Sequence, residues 1–433
     1  MKKLKMIDYP NSLDKIFDKL NKNSITCIII GGFVRDYFLN ISSKDMDIEL
    51  YNLSSYEKLE SLLQEFGSVN SVGKSFGVCK LSFGDYEIDF TLPRVDSKIS
   101  NGHQGFKVDI SSNLDFVTAT SRRDFTINAI GFNTKTKKIL DPFNGIKDIN
   151  SKILKAVNNK TFIQDPLRVL RAIQFSSRFN FTLSKELFTL CKKMIEDDML
   201  SQLPKERVFS EMKKLLLKSS KPSIGFNLLK ELGTLKYFKE LQKISTKNWN
   251  LKMAFLDEIS NLKTTNEKTN LSLMLSLLCY DFNMTDITKF INTLSNEKEL
   301  LSRVITLVDG YKMLDSLLAN KKIEDSNLYN IAQKVKMQEL LIFAKAINFS
   351  NNDICKRVDS LYNRAKELNI LREKLTPILS GKDILTCGLK PSKEFSKILS
   401  DAYKAQMNGE FNSHSGAQEW LRSYLLINSP DSF

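Results

Sequence analysis

Residues 26–50 read Thr-Cys-Ile-Ile-Ile-Gly-Gly-Phe-Val-Arg-Asp-Tyr-Phe-Leu-Asn-Ile-Ser-Ser-Lys-Asp-Met-Asp-Ile-Glu-Leu. The apolar run 27–30 predicts a buried strand, which Gly31 and Gly32 interrupt, and residues 33–39 then show the apolar spacing of a helix. Because glycines allow a phosphate to approach the backbone N–H groups at a helix start, the turn predicts a phosphate site. A Gly-Gly pair alone is more often an ordinary turn, so the neighbouring residues decide its meaning.

A pair of aspartates follows on the next predicted strand. Asp45 and Asp47 are alternate residues, so both carboxylates face one side of the sheet and repel each other unless a cation binds between them. Oxygen ligands of this kind suit Mg²⁺. Asp89 lies on a later predicted strand and supplies a third carboxylate if the two strands are neighbours. An isolated Asp-x-Asp is commonly a solvated strand edge, whereas its combination with the glycine turn favours a catalytic site for a triphosphate.

The composition predicts a soluble globular protein of two to four domains, because 42% of the 433 residues are hydrophobic and 26% are charged. No long apolar run and no signal-peptide pattern is present, which predicts no membrane partner and a cytoplasmic location. The net charge of +14 favours a polyanionic partner such as nucleic acid, although a general excess of lysine contributes to it. Six scattered cysteines and only two histidines argue against a disulfide framework and a multi-histidine metal centre.

A basic pair next to an aspartate forms a second candidate site. A helix is predicted to begin after residue 120 or 121, with Arg122, Arg123 and Asp124 in its first turn. Two arginines at a helix start oppose the helix dipole, and contact with a phosphate would explain their position. Asp124 is able to accept a hydrogen bond from a ribose hydroxyl.

A helix predicted within residues 164–178 carries residues suited to reading a nucleobase. Asp165 precedes Pro166, and Asp165, Arg168 and Arg171 are spaced by three, so they are predicted to line one face. An acceptor beside a donor matches the edges of cytosine and adenine, but not those of guanine or uracil. The alternative is an ordinary ion pair on the helix surface.

Five motifs in chain order resemble class II tRNA nucleotidyltransferases and bacterial poly(A) polymerases. They are residues 31–36 with 45–47, 122–129, 141–145, 165–172 and 204–207. The resemblance covers residues 25–240. It implies an α+β fold, in which a DNA polymerase beta-like nucleotidyltransferase head with a small mixed sheet is followed by an all-α neck, body and tail.

The resemblance also implies a domain order and a role for each candidate residue. The expected domains are a catalytic head at 1–150, a nucleobase-selecting neck at 151–215, a helical body at 216–350 and a tRNA-binding tail at 351–433. Asp45 and Asp47 would bind Mg²⁺, and Asp89 would be the third catalytic carboxylate. The predicted nucleotide-binding residues are Gly31, Gly32, Arg35, Arg123, Asp124, Asp165, Arg168 and Arg171. Polar, glycine-punctuated residues 94–106 are predicted to form a mobile loop beside this site, with plain disorder as the alternative.

The implied activity is template-independent addition of CCA, from CTP and then ATP, to the 3′ end of tRNA with release of pyrophosphate. The expected partners are the acceptor arm and 3′ end of tRNA, and no oligomeric state follows from the sequence. The alternatives are an A-adding-only enzyme, a CC-adding enzyme, a poly(A) polymerase or a non-catalytic RNA-binding homologue.

Three departures from the family pattern are visible. Gln164 and Gln174 replace a family glutamate and arginine. Residues 279–281, Cys-Tyr-Asp, stand where many relatives carry the His-Asp pair of a metal-dependent phosphohydrolase, so the body is predicted to lack that activity.

Overall fold

The computed structural model describes residues 7, 9–70, 78–84, 86–98, 106–110, 114–320, 323–389 and 393–428. The chain forms two compact units, Met1–Gln242 and Lys243–Phe433. The finer division into head, neck, body and tail stays a prediction.

The first unit is built on a mixed sheet. Its strands, with two smaller strand pairs, are β1 (Thr26–Ile30), β2 (Asp45–Tyr51), β3 (Ser68–Asn70), β4 (Val78–Phe83), β5 (Tyr86–Thr91), β6 (Arg94–Lys98), β7 (Phe106–Ile110), β8 (Gly131–Asn133), β9 (Lys138–Leu140), β10 (Ile153–Leu154) and β11 (Thr182–Leu183). Seven of them form one sheet in the order β3-β4-β5-β2-β1-β8-β9. Strand β2 is antiparallel to β1 and parallel to β5. The predicted small mixed sheet is therefore confirmed.

The helices of the first unit cover the sheet and then continue beyond it. They are α1 (Asp14–Lys22), α2 (Gly32–Phe38), α3 (Tyr56–Leu63), α4 (Phe116–Ser121), α5 (Gly145–Ser151), α6 (Asn159–Phe162), α7 (Leu167–Phe179), α8 (Lys185–Glu196), α9 (Lys205–Lys218), α10 (Pro222–Glu231) and α11 (Lys239–Gln242). Helix α7 packs against α9 and α10. It buries most of its residues, so it is a core helix that also reaches the candidate site.

Two local predictions are wrong. Arg122 follows the end of α4 rather than opening a helix, because Asp115 already caps that helix by accepting from the N–H of Thr118. Arginine at the end of a helix is favoured by the helix dipole, so its position needs no phosphate. Within the predicted loop 94–106, residues 94–98 form β6, which pairs with β7 through backbone hydrogen bonds that do not depend on apolar side chains. Residues 99–105 lie outside the described residues.

The second unit is helical throughout its described residues. Its helices are α12 (Thr246–Asn261), α13 (Glu267–Cys279), α14 (Met284–Leu294), α15 (Lys298–Leu318), α16 (Asp325–Lys334), α17 (Met337–Ile347), α18 (Asn352–Glu367), α19 (Gly381–Thr386), α20 (Lys393–Met407) and α21 (His414–Asn428). Buried leucines on α13 pack between α12, α15 and α17. Helices α19–α21 close over a separate apolar cluster that includes Ile384, Ala402 and Leu421. In the parts of the chain that the structure describes, no helix is both long and apolar enough to span a membrane.

Candidate active site

Three aspartates lie on one face of the sheet. Asp47 on β2 lies directly beside Asp89 on the parallel strand β5, and Asp45 precedes Asp47 by two residues on the same face. Lys80 on the next strand, β4, contacts the Asp89 carboxylate at 3.1 Å. The strand that carries Asp89 is thus the neighbour of the Asp45–Asp47 strand, as a third carboxylate requires.

The charges around Asp47 favour a cation. Desolvation raises the pKa of Asp47, Arg123 opposes that rise, and the carboxylates of Asp89, Asp45 and Glu49 add to it. Among the described residues, no group of three or more metal-ligating side chains is close enough to hold a metal alone. Mg²⁺ typically takes one or two protein carboxylates and completes its shell with water and phosphate oxygens. The carboxylate pair therefore fits Mg²⁺ that arrives with a nucleotide.

The glycine turn lies against Arg123. Gly31 has a φ of 76°, and a Cβ atom there would lie 2.8 Å from the Nη1 atom of Arg123. Only glycine accepts both this backbone conformation and this close approach. The N–H of Gly31 donates to the carbonyl of Ile130 at 3.2 Å, so it is already used within the sheet. Arg123 is held from the other side, with its Nη2 atom 3.5 Å from buried Glu49.

Arg35 lies inside the protein beneath this turn. Its Nε donates to Asp36 at 2.8 Å and its Nη1 donates to the side chain of Asn128 at 2.6 Å. The guanidinium also lies 5.2 Å and 4.9 Å from the ring centroids of Phe175 and Phe179 on α7. Burial lowers the pKa of Arg35, and Asp36 opposes this change. Arg35 is only 6% exposed, so direct contact with a phosphate stays a prediction.

Asp124 forms an ion pair with Arg171 on α7. The Nε and Nη2 atoms of Arg171 lie 2.7 Å and 2.6 Å from one carboxylate oxygen of Asp124. The other oxygen accepts from the N–H of Phe125 at 2.8 Å and from the side chain of Asn128 at 3.0 Å. Burial by itself raises the pKa of Asp124, but Arg171 and the hydrogen bonds outweigh it, so the pKa lies below its usual value. With both oxygens engaged, Asp124 is suited to positioning other groups.

Asp165 and Arg168 lie where α7 begins. One oxygen of Asp165 accepts from the N–H of Leu167 at 3.1 Å, and the other lies 3.5 Å from Arg207 on α9. Arg168 donates to the main-chain carbonyls of Thr161 at 3.0 Å and of Arg122 at 2.6 Å.

Arg168 and Arg171 both contact the segment 122–124, so they share one side of α7 as predicted. Asp165 lies at the start of this helix, because its main-chain carbonyl accepts from the N–H of Arg168 at 3.0 Å. Arg171 is directed to Asp124, whereas Arg168 turns back to two carbonyls.

Comparison with known proteins places this site in a family. Residues 27–155 match the family model described as Poly A polymerase head domain. Residues 180–244 match the model described as Probable RNA and SrmB- binding site of polymerase A. The CCA-adding enzyme of Francisella tularensis subsp. novicida (strain U112) is 32% identical over 331 residues, which cover 74% of this chain and 82% of that relative. The chain belongs to the CCA-adding enzyme family.

Two further comparisons agree with that assignment. The Multifunctional CCA protein of Pseudoalteromonas atlantica (strain T6c / ATCC BAA-1087) is 36% identical over 217 residues, which cover 49% of this chain and 51% of that protein. The chain therefore spans about half the length of that relative. A solved structure, the apo form II of a CCA-adding enzyme, aligns over 97% of both chains with a TM-score of 0.73 at 19% identity, so the two share a fold. The resemblance predicted from the motifs is confirmed.

Two buried polar residues complete the site of this CCA-adding enzyme family member, and sequence reasoning gave neither a role. Glu49 continues the alternation of Asp45 and Asp47 along β2, accepts from the hydroxyl of Tyr51 at 2.9 Å and faces Arg123. Its place in that alternation was a usable signal. Asn128 hydrogen-bonds to both Arg35 and Asp124. The sequence indicates its role only weakly, through one polar residue between two apolar neighbours.

Proposed function

We propose that this protein adds CCA to the 3′ end of tRNA, using CTP and then ATP, without a nucleic-acid template and with release of pyrophosphate. Its membership of the CCA-adding enzyme family supports this activity. The observation that carries the proposal is the register of Asp47 beside Asp89, which gathers the carboxylates on one sheet face next to Arg123. A tRNA substrate and a cytoplasmic location follow from the same proposal.

The carboxylate face has the chemistry of nucleotidyl transfer. Asp45 and Asp47 would hold Mg²⁺, and Asp89 beside them would add a third oxygen ligand or accept a proton. When bound, Mg²⁺ neutralises phosphate charge and lowers the pKa of an attacking hydroxyl. Arg123, held by Glu49, supplies fixed positive charge next to the glycine turn, where a triphosphate would lie.

Selection of the nucleobase falls to Asp165 and Arg168. Asp165 would accept from the exocyclic amino group of cytosine or adenine, and Arg168 would donate to the ring acceptors of the same bases. The protein orients both side chains through other contacts, because the N–H of Leu167 holds Asp165 and two carbonyls hold Arg168. Fixed groups discriminate between bases better than mobile ones.

The test uses three tRNA transcripts that end at the discriminator base, at CC and at CCA. Each is incubated with the protein, Mg²⁺ and labelled CTP or ATP, and product length is read. CTP addition to the first transcript and one A on the second are expected. Use of ATP alone would indicate an A-adding enzyme. Addition that stops after CC would indicate a CC-adding enzyme, and long A tails would indicate a poly(A) polymerase. No incorporation on any transcript would indicate a non-catalytic RNA-binding homologue.

The same assay tests the selecting pair. Arg168→Ala should reduce discrimination between CTP and UTP by about tenfold or more, because one base-edge contact is lost. Arg178→Ala is the matched control, since Arg178 lies on the same helix but contacts Asp36 at 3.8 Å. Unchanged discrimination in Arg168→Ala would contradict the reading role.

A further inference from the structure

Asn128 touches three of the predicted nucleotide-binding residues. It ends the 3₁₀ turn Thr126–Asn128 and is 5% exposed. Its side-chain oxygen accepts from Arg35 at 2.6 Å, and its side-chain nitrogen donates to Asp124 at 3.0 Å. Its main-chain carbonyl accepts from Arg123 at 3.3 Å. One uncharged residue thus organises three charged ones.

The contacts of Asn128 lie in the middle of a continuous path. At one end, Arg35 lies on α2 against the glycine turn, where a Cβ atom at Gly32 would lie 3.6 Å from its Nη2 atom. At the other end, Asp124 holds Arg171, which lies one turn of α7 after Arg168. The path therefore joins the element next to the triphosphate site to the helix that carries base selection.

Only an amide suits this junction. Arg35 requires an acceptor and Asp124 requires a donor, and the asparagine side chain offers one of each in a fixed plane. A carboxylate would retain the acceptor but would face Asp124 with like charge. An apolar side chain would leave both buried charged groups with fewer partners.

We propose that Asn128 is a positioning residue that fixes α2 relative to α7, so that one nucleotide can engage the triphosphate site and the base-selecting pair together. This inference rests on the proposed function for its two binding ends. Because Asn128 lies between these ends and is remote from the base edge, its loss weakens CTP and ATP alike. Discrimination between nucleotides stays unchanged, in contrast to Arg168→Ala.

The experiment compares Asn128→Ala and Asn128→Asp with a control from the same turn. Thr126→Val removes the hydrogen bond from the buried Thr126 hydroxyl to half-buried Asp148, which is 2.6 Å long and lies outside the path. KM and kcat are measured for CTP and ATP, with Tm and the equilibrium affinity for ATP. Asn128→Ala is expected to raise both KM values by about tenfold or more with a smaller change in kcat. Thr126→Val should retain the wild-type KM even where its Tm falls as far.

The two variants at position 128 separate the two links. Asn128→Asp keeps the acceptor for Arg35 and loses the donor for Asp124, so it should weaken nucleotides at least as much as Asn128→Ala. Wild-type KM values in Asn128→Asp would overturn the coupling, as would equal KM changes in Asn128→Ala and Thr126→Val. If Asn128→Ala does not fold, Asn128→Ser carries the same comparison, since a hydroxyl cannot hold both partners in the same geometry.

A failure of the proposed function is distinguishable from a failure of this inference. A wild-type protein that adds nothing to tRNA would end the proposed activity. The ATP affinities of the wild type, Asn128→Ala and Thr126→Val would still show whether Asn128 supports nucleotide binding.

Discussion

The two units of the chain balance charge in opposite ways. In the first unit, Asp47 lies beside Asp45 and Asp89, and desolvation, with a smaller contribution from neighbouring negative charge, raises its pKa. Among the described residues, neither Asp45 nor Asp47 forms an ion pair with a lysine or arginine side chain within salt-bridge distance. In the second unit, Asp281 lies 2.5 Å from the ammonium of Lys252, whose side chain is fully buried.

Further contacts stabilise the buried ammonium of Lys252. It also donates to the carbonyl of Leu278 at 2.9 Å and lies 4.2 Å and 5.1 Å from the ring centroids of Tyr280 and Phe282. Burial lowers its pKa, and Asp281 opposes this change. The second unit thus supplies its own cation, whereas the carboxylate face of the first unit leaves a charge for a ligand to neutralise. That the body lacks phosphohydrolase activity stays a prediction.

The largest expected effect is on chemistry in the first unit. Asp47→Asn should reduce CTP incorporation by about a thousandfold or more, because an oxygen ligand for Mg²⁺ is lost. Thermal stability at neutral pH should stay equal or rise, since the raised pKa means that ionised Asp47 destabilises the fold. Incorporation assays and thermal melts of the same preparation check both parts. Normal turnover would refute the site assignment.

In the second unit, the next largest effect is expected on stability rather than on activity. Asp281→Asn should lower the free energy of unfolding by about 3–5 kcal/mol, because it leaves the fully buried ammonium of Lys252 without its counter-ion. Urea denaturation measures the loss, and Lys252→Met combined with Asp281→Asn should recover part of it. Incorporation per folded molecule should match the wild type. A single variant as stable as the wild type would break the contrast between the two units.

The pH dependence of Mg²⁺ binding sharpens the contrast. A proton competes with Mg²⁺ for Asp47, so affinity should fall by up to about tenfold per pH unit once the pH drops below its raised pKa. Mg²⁺ titrations followed by Tm over a series of acidic pH values measure this. Asp281→Asn should leave the response intact, whereas Asp47→Asn should remove most of it. Loss of the pH response in Asp281→Asn would place the Mg²⁺ site in the second unit and would contradict the assignment to Asp47.

The smallest effect is expected at Lys80. Its contact with Asp89 is largely exposed, so Lys80→Ala should change stability by less than about 1 kcal/mol because water screens the pair. Turnover should change only a few-fold. A loss as large as that of Asp47→Asn would show that Lys80 belongs to the catalytic machinery.

The sequence predicted whatever depends on local pattern. Alternation along one strand placed Asp45 and Asp47 on one face, and the apolar run with two glycines predicted β1 and α2. The neighbouring position of Asp89 depends on a parallel pairing across about forty residues, so residue spacing left it conditional. The partners of Arg35 and Asp124 were not accessible for the same reason, since Asn128, Phe175 and Arg171 reach them only through tertiary packing. The shared side of Arg168 and Arg171 was predictable from their spacing of three, whereas their partners in the segment 122–124 were not.

The inner strand β1 sets an order in which the first unit becomes complete during synthesis. On one side it pairs with β2, where Ile30 meets Asp47, soon after both have left the ribosome. On its other side it pairs with β8, where Ile28 meets Asn133. The ion pair of Asp124 with Arg171 forms only after α7 has also been synthesised. Contacts of long sequence separation form late because closing the intervening chain costs entropy. A ribosome-bound chain is therefore expected to gather its carboxylates well before the residues that would grip a nucleotide are in place.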